Sequence, residues 1–214
     1  MRIMANGLKK VFNRRTVFKD ISFEVRSGQI LSITGPNGSG KSTASKILCG
    51  VLTPTSGTVT LENSNGVIDR DNIHKHIGFV APYLELYGEF TALENLKIES
   101  KARRLSRSQE ENALEILNQV GLFNRRNDEV KGFSSGMKQR LKYAAAIVHD
   151  PDVLVLDEPT ANLDVAGSEM VFKLIEVFRR DKVVVLATND KDEAALGDVK
   201  VELTKSLGSS NGRQ

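Results

Sequence analysis

Read for the spacing of apolar and polar side chains, the chain divides into a strand-rich beginning, a helical middle and an alternating last third. Residues 21–25 (ISFEV) alternate apolar and polar, the period of a half-buried strand, and Ser27-Gly28 then offers a turn. Residues 29–34 (QILSIT) read as a short apolar strand that the run GPNGSG at 35–40 stops. Residues 41–49 carry Ala44, Ile47 and Leu48 at helical spacing, and Gly50 is placed to end that helix. Residues 58–61 and 77–80 read as further strands. The period then changes. Ser108 and Glu111 have capping-box spacing, Leu114, Leu117 and Val120 share a face behind them, and Gly121 can terminate the helix. A second helix is expected over 135–149, with Leu141, Ala144, Ala145 and Val148 on one stripe. Residues 153–159 (VLVLDEP) are an apolar, β-branched run closed by two carboxylates, the pattern of a parallel strand covered on both faces. A helix over 165–180, a buried strand over 183–187 and a last strand over 199–203 follow. The Ser/Gly/Asn-rich tail at 206–214 reads as frayed.

Buried strands alternating with helices indicate an α/β fold with a covered sheet, in two lobes of one domain. Composition narrows the setting. A length of 214 residues suits one domain, and 40% apolar residues allow a real core. The 30 Lys and Arg against 27 Asp and Glu leave a net charge of +3, too balanced for a dedicated nucleic-acid binder, so no nucleic-acid partner is expected. One cysteine excludes an intramolecular disulfide and fits a reducing compartment. No apolar run approaches the ~18–20 residues of a spanning helix, and MRIMANGLKK lacks a signal-peptide stretch. The expectation is a soluble, cytoplasmic chain whose membrane role, if it has one, depends on a partner.

Candidate chemistry lies at two strand ends. Gly35, Pro36, Asn37, Gly38, Ser39, Gly40, Lys41 and Ser42 match G-x-x-x-x-G-K-[ST], with Thr43 next. Glycines let successive backbone N–H groups converge on an anion, and the following helix points its positive end at the same place. Lys41 adds a charge for the β and γ phosphates of a nucleotide, and Ser42 a hydroxyl for Mg²⁺. Asp157 and Glu158 end a buried strand, where open sheets place their ligands. Asp157 suits Mg²⁺ through water, and Glu158 is placed to polarise an attacking water.

These motifs, with FSSGMKQR at 133–140 between them, resemble the ATP-binding cassette (ABC) ATPase family over about residues 2–203. The resemblance implies a P-loop NTPase core with an N-terminal antiparallel β-subdomain and an inserted helical subdomain at about 83–150, all in one domain spanning 1–205. It implies ATP and Mg²⁺ as cofactors and slow or ordinary ATP hydrolysis coupled to transport. Phe133-Ser134-Ser135-Gly136-Met137 looks like the family signature, in which Ser134, Ser135 and Gly136 would cap the γ-phosphate held by a second subunit. Ala161-Asn162-Leu163-Asp164 resembles the D-loop that crosses the dimer interface, and Phe12 stands where the family stacks adenine. The implied partners are ATP, a second copy of the chain or a homologous ATPase subunit, and an integral membrane permease. The implied location is the inner face of the cell membrane. The compact chain and the run Phe90-Thr91-Ala92-Leu93-Glu94-Asn95-Leu96 are similar to the haem-exporter ATPases of cytochrome c maturation, and equally to many small cassettes.

Two positions depart from the family. Asn189 stands in place of the switch histidine, shorter and never charged. Pro82 stands in place of the Q-loop glutamine, with no side-chain donor or acceptor. They point to slow hydrolysis that still uses Glu158 and Lys41 with Asn189. They leave open an ATP-gated module that barely turns over, or a soluble relative outside transport. Elsewhere, His74 and His76 lack the further ligands a metal needs. His149 reads as a cation at a helix end, and Cys49 as a small buried hydrophobe. Lys101, Arg103, Arg104 and Arg107, with Arg125-Arg126, read as a solvated face or a contact for anionic headgroups. Tyr83, Leu84, Leu86, Tyr87 and Phe90 read as subdomain core or as a groove for a helix of the permease.

Overall fold

A computed structural model describes residues 1–103, 107–161 and 163–204; the side chains described exclude those of 107–111. The chain opens with a long hairpin, β1 (Arg2–Phe12) and β2 (Arg15–Arg26), followed by β3 (Ile30–Thr34) and α1 (Lys41–Leu48). Next come β4 (Ser56–Asn63), β5 (Gly66–Val67), α2 (Ile73–His76) and β6 (Ile77–Val80). A helical stretch holds α3 (Ala92–Ala102), α4 (Arg107–Gln119) and α5 (Ser135–Ile147). The chain then alternates β7 (Val153–Asp157), α6 (Val165–Phe178), β8 (Val183–Thr188), α7 (Lys191–Ala195) and β9 (Val199–Glu202).

The strands form two sheets. One is antiparallel, in the order β2-β1-β4-β5, and the other is parallel, in the order β6-β7-β8-β3-β9. Val153 pairs with Val183 and Asp157 with Ala187, so the carboxyl ends of β7 and β8 finish together. Alternation along these strands divides the core. Val153, Val155, Val183 and Val185 pack toward α1 and the antiparallel sheet, while Leu154, Leu156, Val184 and Leu186 pack toward α5 and α6. Each such fully buried side chain contributes about 1.5–3 kcal/mol.

Most expected elements are present, some with shifted ends. The helix expected to reach 149 stops at Ile147, and Asp150 takes a left-handed backbone. Five elements lie outside the expected set: β1, α3 and α7, and the short β5 and α2. In β1 the alternation breaks at Asn6-Gly7, where the register slips between Ala5 and Leu8, so the buried positions change parity from Ile3 and Ala5 to Leu8. Helix α3 is announced by a capping box in which Thr91 and Glu94 bond each other's backbone, a Thr-x-x-Glu signal present in the sequence. Helix α7 is only five residues long. Helix α4 corrects one expectation: it buries Ala113, Ile116 and Leu117, Val120 just past its end continues this i, i+3, i+4, i+7 stripe, and Leu114 is left 41% exposed. The capping pair Ser108 and Glu111, together with Arg104, Arg107, Asn162 and the tail from 206, lies outside the described residues or side chains.

The C-terminal half of α5 is fastened to the parallel sheet. A Cβ on Gly78 of β6 would come within 2.2 Å of the Ala146 carbonyl oxygen, so glycine is what lets helix and strand meet. The Tyr143 hydroxyl donates to the Pro159 carbonyl at 2.6 Å, and Lys142 Nζ to the Pro82 carbonyl at 2.8 Å.

Candidate functional site

The phosphate-loop sequence leaves β3 and curls into α1. Lys41 Nζ donates back to the Gly35 carbonyl at 2.9 Å and stands 3.5 Å from Glu158 Oε1. Gly40, just before the helix, has φ 105°, and a Cβ there would lie 2.5 Å from Val17 Cγ1. The loop is therefore pressed against β2, which any larger residue would pry away. Pro36 and Ser39 close the loop, the Ser39 amide donating to the Pro36 carbonyl at 3.0 Å. No side chain caps α1, and its first intrahelical bond runs from the Ala44 amide to the Gly40 carbonyl. The amides of Lys41, Ser42 and Thr43 precede that bond and are open to a ligand.

The carboxylates stand beside this loop. Asp157 is 1% exposed, and neither of its oxygens meets an aligned protein donor. Burial pushes its pKa up, while the neighbouring Ser42 and Tyr83 hydroxyls and the charges of Lys41 and Lys46 pull it down. A buried carboxylate left without a donor next to a serine hydroxyl fits a bound cation, and these oxygen donors suit Mg²⁺. Glu158 follows on a left-handed backbone, φ 50°, with its amide donating to the Ala187 carbonyl at 2.8 Å. Burial raises its pKa as well, against the attraction of Lys41. An unfavourable backbone at this point aims the carboxylate over the loop.

A cleft of about 570 Å³ opens here, lined by Phe12, Arg15, Thr16, Val17, Asn37, Gly38, Gly40, Lys41, Ser42, Thr43 and Glu158. Phe12 is not a core residue. It is 46% exposed, with Lys10 Nζ 4.6 Å from its ring centroid. Arg15, Thr16 and Val17 were missed; their signal was a position straight after the hairpin turn that follows Phe12. Asn189 reaches the same loop, its Nδ2 donating to Asn37 Oδ1 at 2.9 Å.

Ser134, Ser135, Gly136 and Asp164 do not line this cleft. Ser134 caps α5, its hydroxyl accepting from the Met137 amide at 3.2 Å, with exposed Ser135 and half-buried Gly136 in the first turn. Asp164 caps α6, Oδ1 accepting from the Gly167 amide at 2.7 Å, with Arg140 3.5 Å away. Buried Glu193 was also missed. Its Oε1 accepts from the Thr160 hydroxyl at 2.6 Å and the Thr160 amide at 3.2 Å, fixing the turn after Glu158. A glutamate in a short polar helix carries no signal of such a role.

Other expectations are corrected. His149 is 4% exposed, faces the Ile77 carbonyl at 3.2 Å, and burial lowers its pKa to about 3, so it is a neutral core residue rather than a cation at a helix end. Arg103 is not part of a solvated face: it pairs with Glu99 at 2.6 Å and donates to the carbonyls of His74 and Ile77. Cys49 is buried, and His76 pairs with Asp152 at 2.6 Å. Tyr83, Tyr87 and Phe90 are exposed rather than core, while Leu84, Leu86 and Tyr87 line a second cleft of about 290 Å³ with Phe79 and Ala145. Among the described residues no helix is long and apolar enough to cross a membrane, and no group of three or more His, Cys, Asp and Glu side chains gathers to hold a metal.

Comparison with known proteins agrees with this geometry. The family model described as ABC transporter matches residues 18–161. The chain is 35% identical over 183 residues to the lantibiotic transport ATP-binding protein SrtF of Streptococcus pyogenes, covering 86% of this chain and 77% of that protein. It is 32% identical to the linearmycin resistance ATP-binding protein LnrL of Bacillus subtilis, covering 87% of this chain and 60% of that protein. The dimeric post-hydrolysis state of the ATP-binding cassette MJ0796, bound to ADP and Pi, matches with a TM-score of 0.82 at 27% identity, over 95% of this chain and 96% of that one.

Proposed function

This chain belongs to the ABC transporter family of ATP-binding proteins, and from that premise we propose how its residues divide the binding and hydrolysis of ATP. It is an ATP-binding and ATP-hydrolysing subunit of that family. The observation that carries the assignment of roles is the Asp157 carboxylate, buried without a donor beside Ser42 and the uncapped start of α1.

The open amides of the loop, Gly35 to Thr43, cradle the phosphates, and Lys41 lies against the β and γ groups. Phe12 offers its free face to the adenine. Ser42 and Asp157 would hold Mg²⁺, which when bound would screen the charge of the phosphates. Glu158 accepts the proton of the attacking water as it adds to the γ-phosphorus; the bond to the β-bridging oxygen breaks, giving ADP and phosphate. Asn189 contributes a neutral donor from the Asn37 side. Ser134, Ser135, Gly136 and Asp164 serve the site of a second copy or a homologous subunit, docked head to tail. That reading is supported by their lying off this chain's own cleft and by the dimeric state of MJ0796. Residues 83–150 act as the helical subdomain of a domain spanning 1–205. The second cleft receives a cytoplasmic helix of a membrane permease, which places the subunit on the inner face of the membrane.

The test is ATP turnover of the full chain and of Lys41→Ala. Turnover is expected to fall by a factor of about 10² or more, the scale for removing one preorganised donor from a developing charge. Turnover within threefold of the unmodified chain, roughly the noise of a donor that is not engaged, would remove Lys41 from its assigned role.

A further inference from the structure

Phe12 lines the cleft from the end of β1, and an exposed ring there changes rotamer on the ps–ns scale unless something holds it. Lys10 holds it. Its ammonium lies over the ring, 4.6 Å from the centroid, and Phe12 lines the cleft while Lys10 does not. The charge therefore covers the ring face turned away from the cleft. The lysine is itself anchored, Nζ donating to the Thr53 carbonyl at 2.7 Å. Residues 53–55 lie between α1 and β4, and two further bonds tie them to the end of β1. The Thr55 amide donates to the Lys9 carbonyl at 2.8 Å, and the Val11 amide to Thr55 Oγ1 at 3.0 Å. Arg70 adds a bond to the same segment, Nη2 donating to Thr53 Oγ1 at 2.5 Å.

The arrangement matters because of how rings stack. The face of an aromatic ring is negative, and a base stacks on it with a π-face of its own. A cation over the far side draws the density of the phenyl ring toward itself. The cleft-side face is then less negative and a better match for an electron-rich purine. Holding the ring in one place also removes an ordering cost that binding would otherwise carry. The anchor lies on the segment that follows α1, the helix that begins at Lys41. The ring is thereby set at a fixed distance from the phosphate loop.

We infer that Lys10 is a positioning residue for the base of the nucleotide: its ammonium, anchored on the Thr53 carbonyl, backs the Phe12 ring and presents the other face to the cleft. The inference rests on the reading of Phe12 as the residue that stacks adenine.

The experiment measures equilibrium binding of ATP and of inorganic triphosphate to the full chain, both in MgCl₂. Both ligands carry the three phosphates, so the ratio of affinities isolates the nucleoside. Lys10→Met keeps much of the side-chain length and removes its charge. The ratio is expected to fall about threefold, the scale of a cation over an exposed ring, with the triphosphate affinity unchanged. Phe12→Ala, measured in parallel, is expected to lower the ratio by about tenfold or more, the scale of one base on one aromatic side chain. Lys10→Met added to Phe12→Ala should lower it no further, because the lysine acts through the ring. If Phe12→Ala lowers the ratio and Lys10→Met leaves it intact, the inference fails and the stacking reading stands. An equal loss for ATP and triphosphate in Lys10→Met also overturns it, because a purely structural role acts that way. So does an undiminished effect of Lys10→Met in the Phe12→Ala background. A ratio untouched by Phe12→Ala overturns the stacking reading and the inference with it.

Discussion

Two helix beginnings in this molecule are built for opposite circumstances. Helix α1 starts after a left-handed Gly40 with no side-chain cap, leaving its first amides open and a lysine in its first turn. Helix α5 starts after Ser134, whose hydroxyl already accepts from the Met137 amide. The first end is complete only when an anion arrives. The second is stable alone, yet the same hydroxyl still has a proton to donate outward. On the head-to-tail arrangement proposed above, one chain would carry an open helix start for its own nucleotide and a self-capped helix start for its partner's.

The contrast can be broken in three places. The largest effect is expected from Glu158→Gln, which keeps the shape of the first region and removes its base. Turnover should drop by about 10²–10⁴-fold while ATP affinity holds, and single-turnover hydrolysis read beside equilibrium binding checks both. Undiminished turnover would move the proton acceptor elsewhere.

Ser134→Ala comes second. Losing the cap costs about 0.5–2 kcal/mol of stability, visible in denaturant melts. Turnover should fall by about tenfold, the scale of one hydrogen bond to a charged group, with ATP affinity unchanged at protein concentrations too dilute for pairing. A loss of affinity under those dilute conditions would place Ser134 in its own chain's site and erase the contrast.

The smallest effect is expected from Asn189→His. The Asn189–Asn37 bond already ties the switch position to the loop, so a histidine should raise turnover only about threefold, within the value of a single weak hydrogen bond. A slower enzyme would show that the Asn–Asn contact is the preferred arrangement here.

The difference between the two regions also governs how much the sequence disclosed. The loop at Gly35 to Ser42 and the run from Val153 to Glu158 were legible because their chemistry is local: each motif lies within a few residues, next to a strand whose apolar run declares itself. The contact of Glu193 was not, since Glu193 is 33 residues from Thr160 in the chain and no spacing rule joins them. His149 failed for the same reason. Its neighbour Asp150 suggested an exposed helix end, and only the packing under Ile77 shows that charge is excluded there. Strand β1 was obscured by its bulge, which inverts the alternation that reveals strands elsewhere.

Gly78 has a mechanical consequence. Its missing side chain, with the Tyr143 and Lys142 bonds, anchors the far end of α5 against β6 and the turns after β6 and β7. The helix is held to the sheet between Lys142 and Ala146, and its first turn at Ser134 lies beyond those contacts. At 1.5 Å per residue the stretch from Lys142 to Gly136 is about 9 Å, so a tilt of roughly 10° moves its tip through about 1.5 Å. The clamp holds the carbonyls of Pro82 and Pro159, the second of them one residue from Glu158. A displacement too small to register beside the carboxylates becomes, at the other end of the rod, the width of a hydrogen bond made or missed.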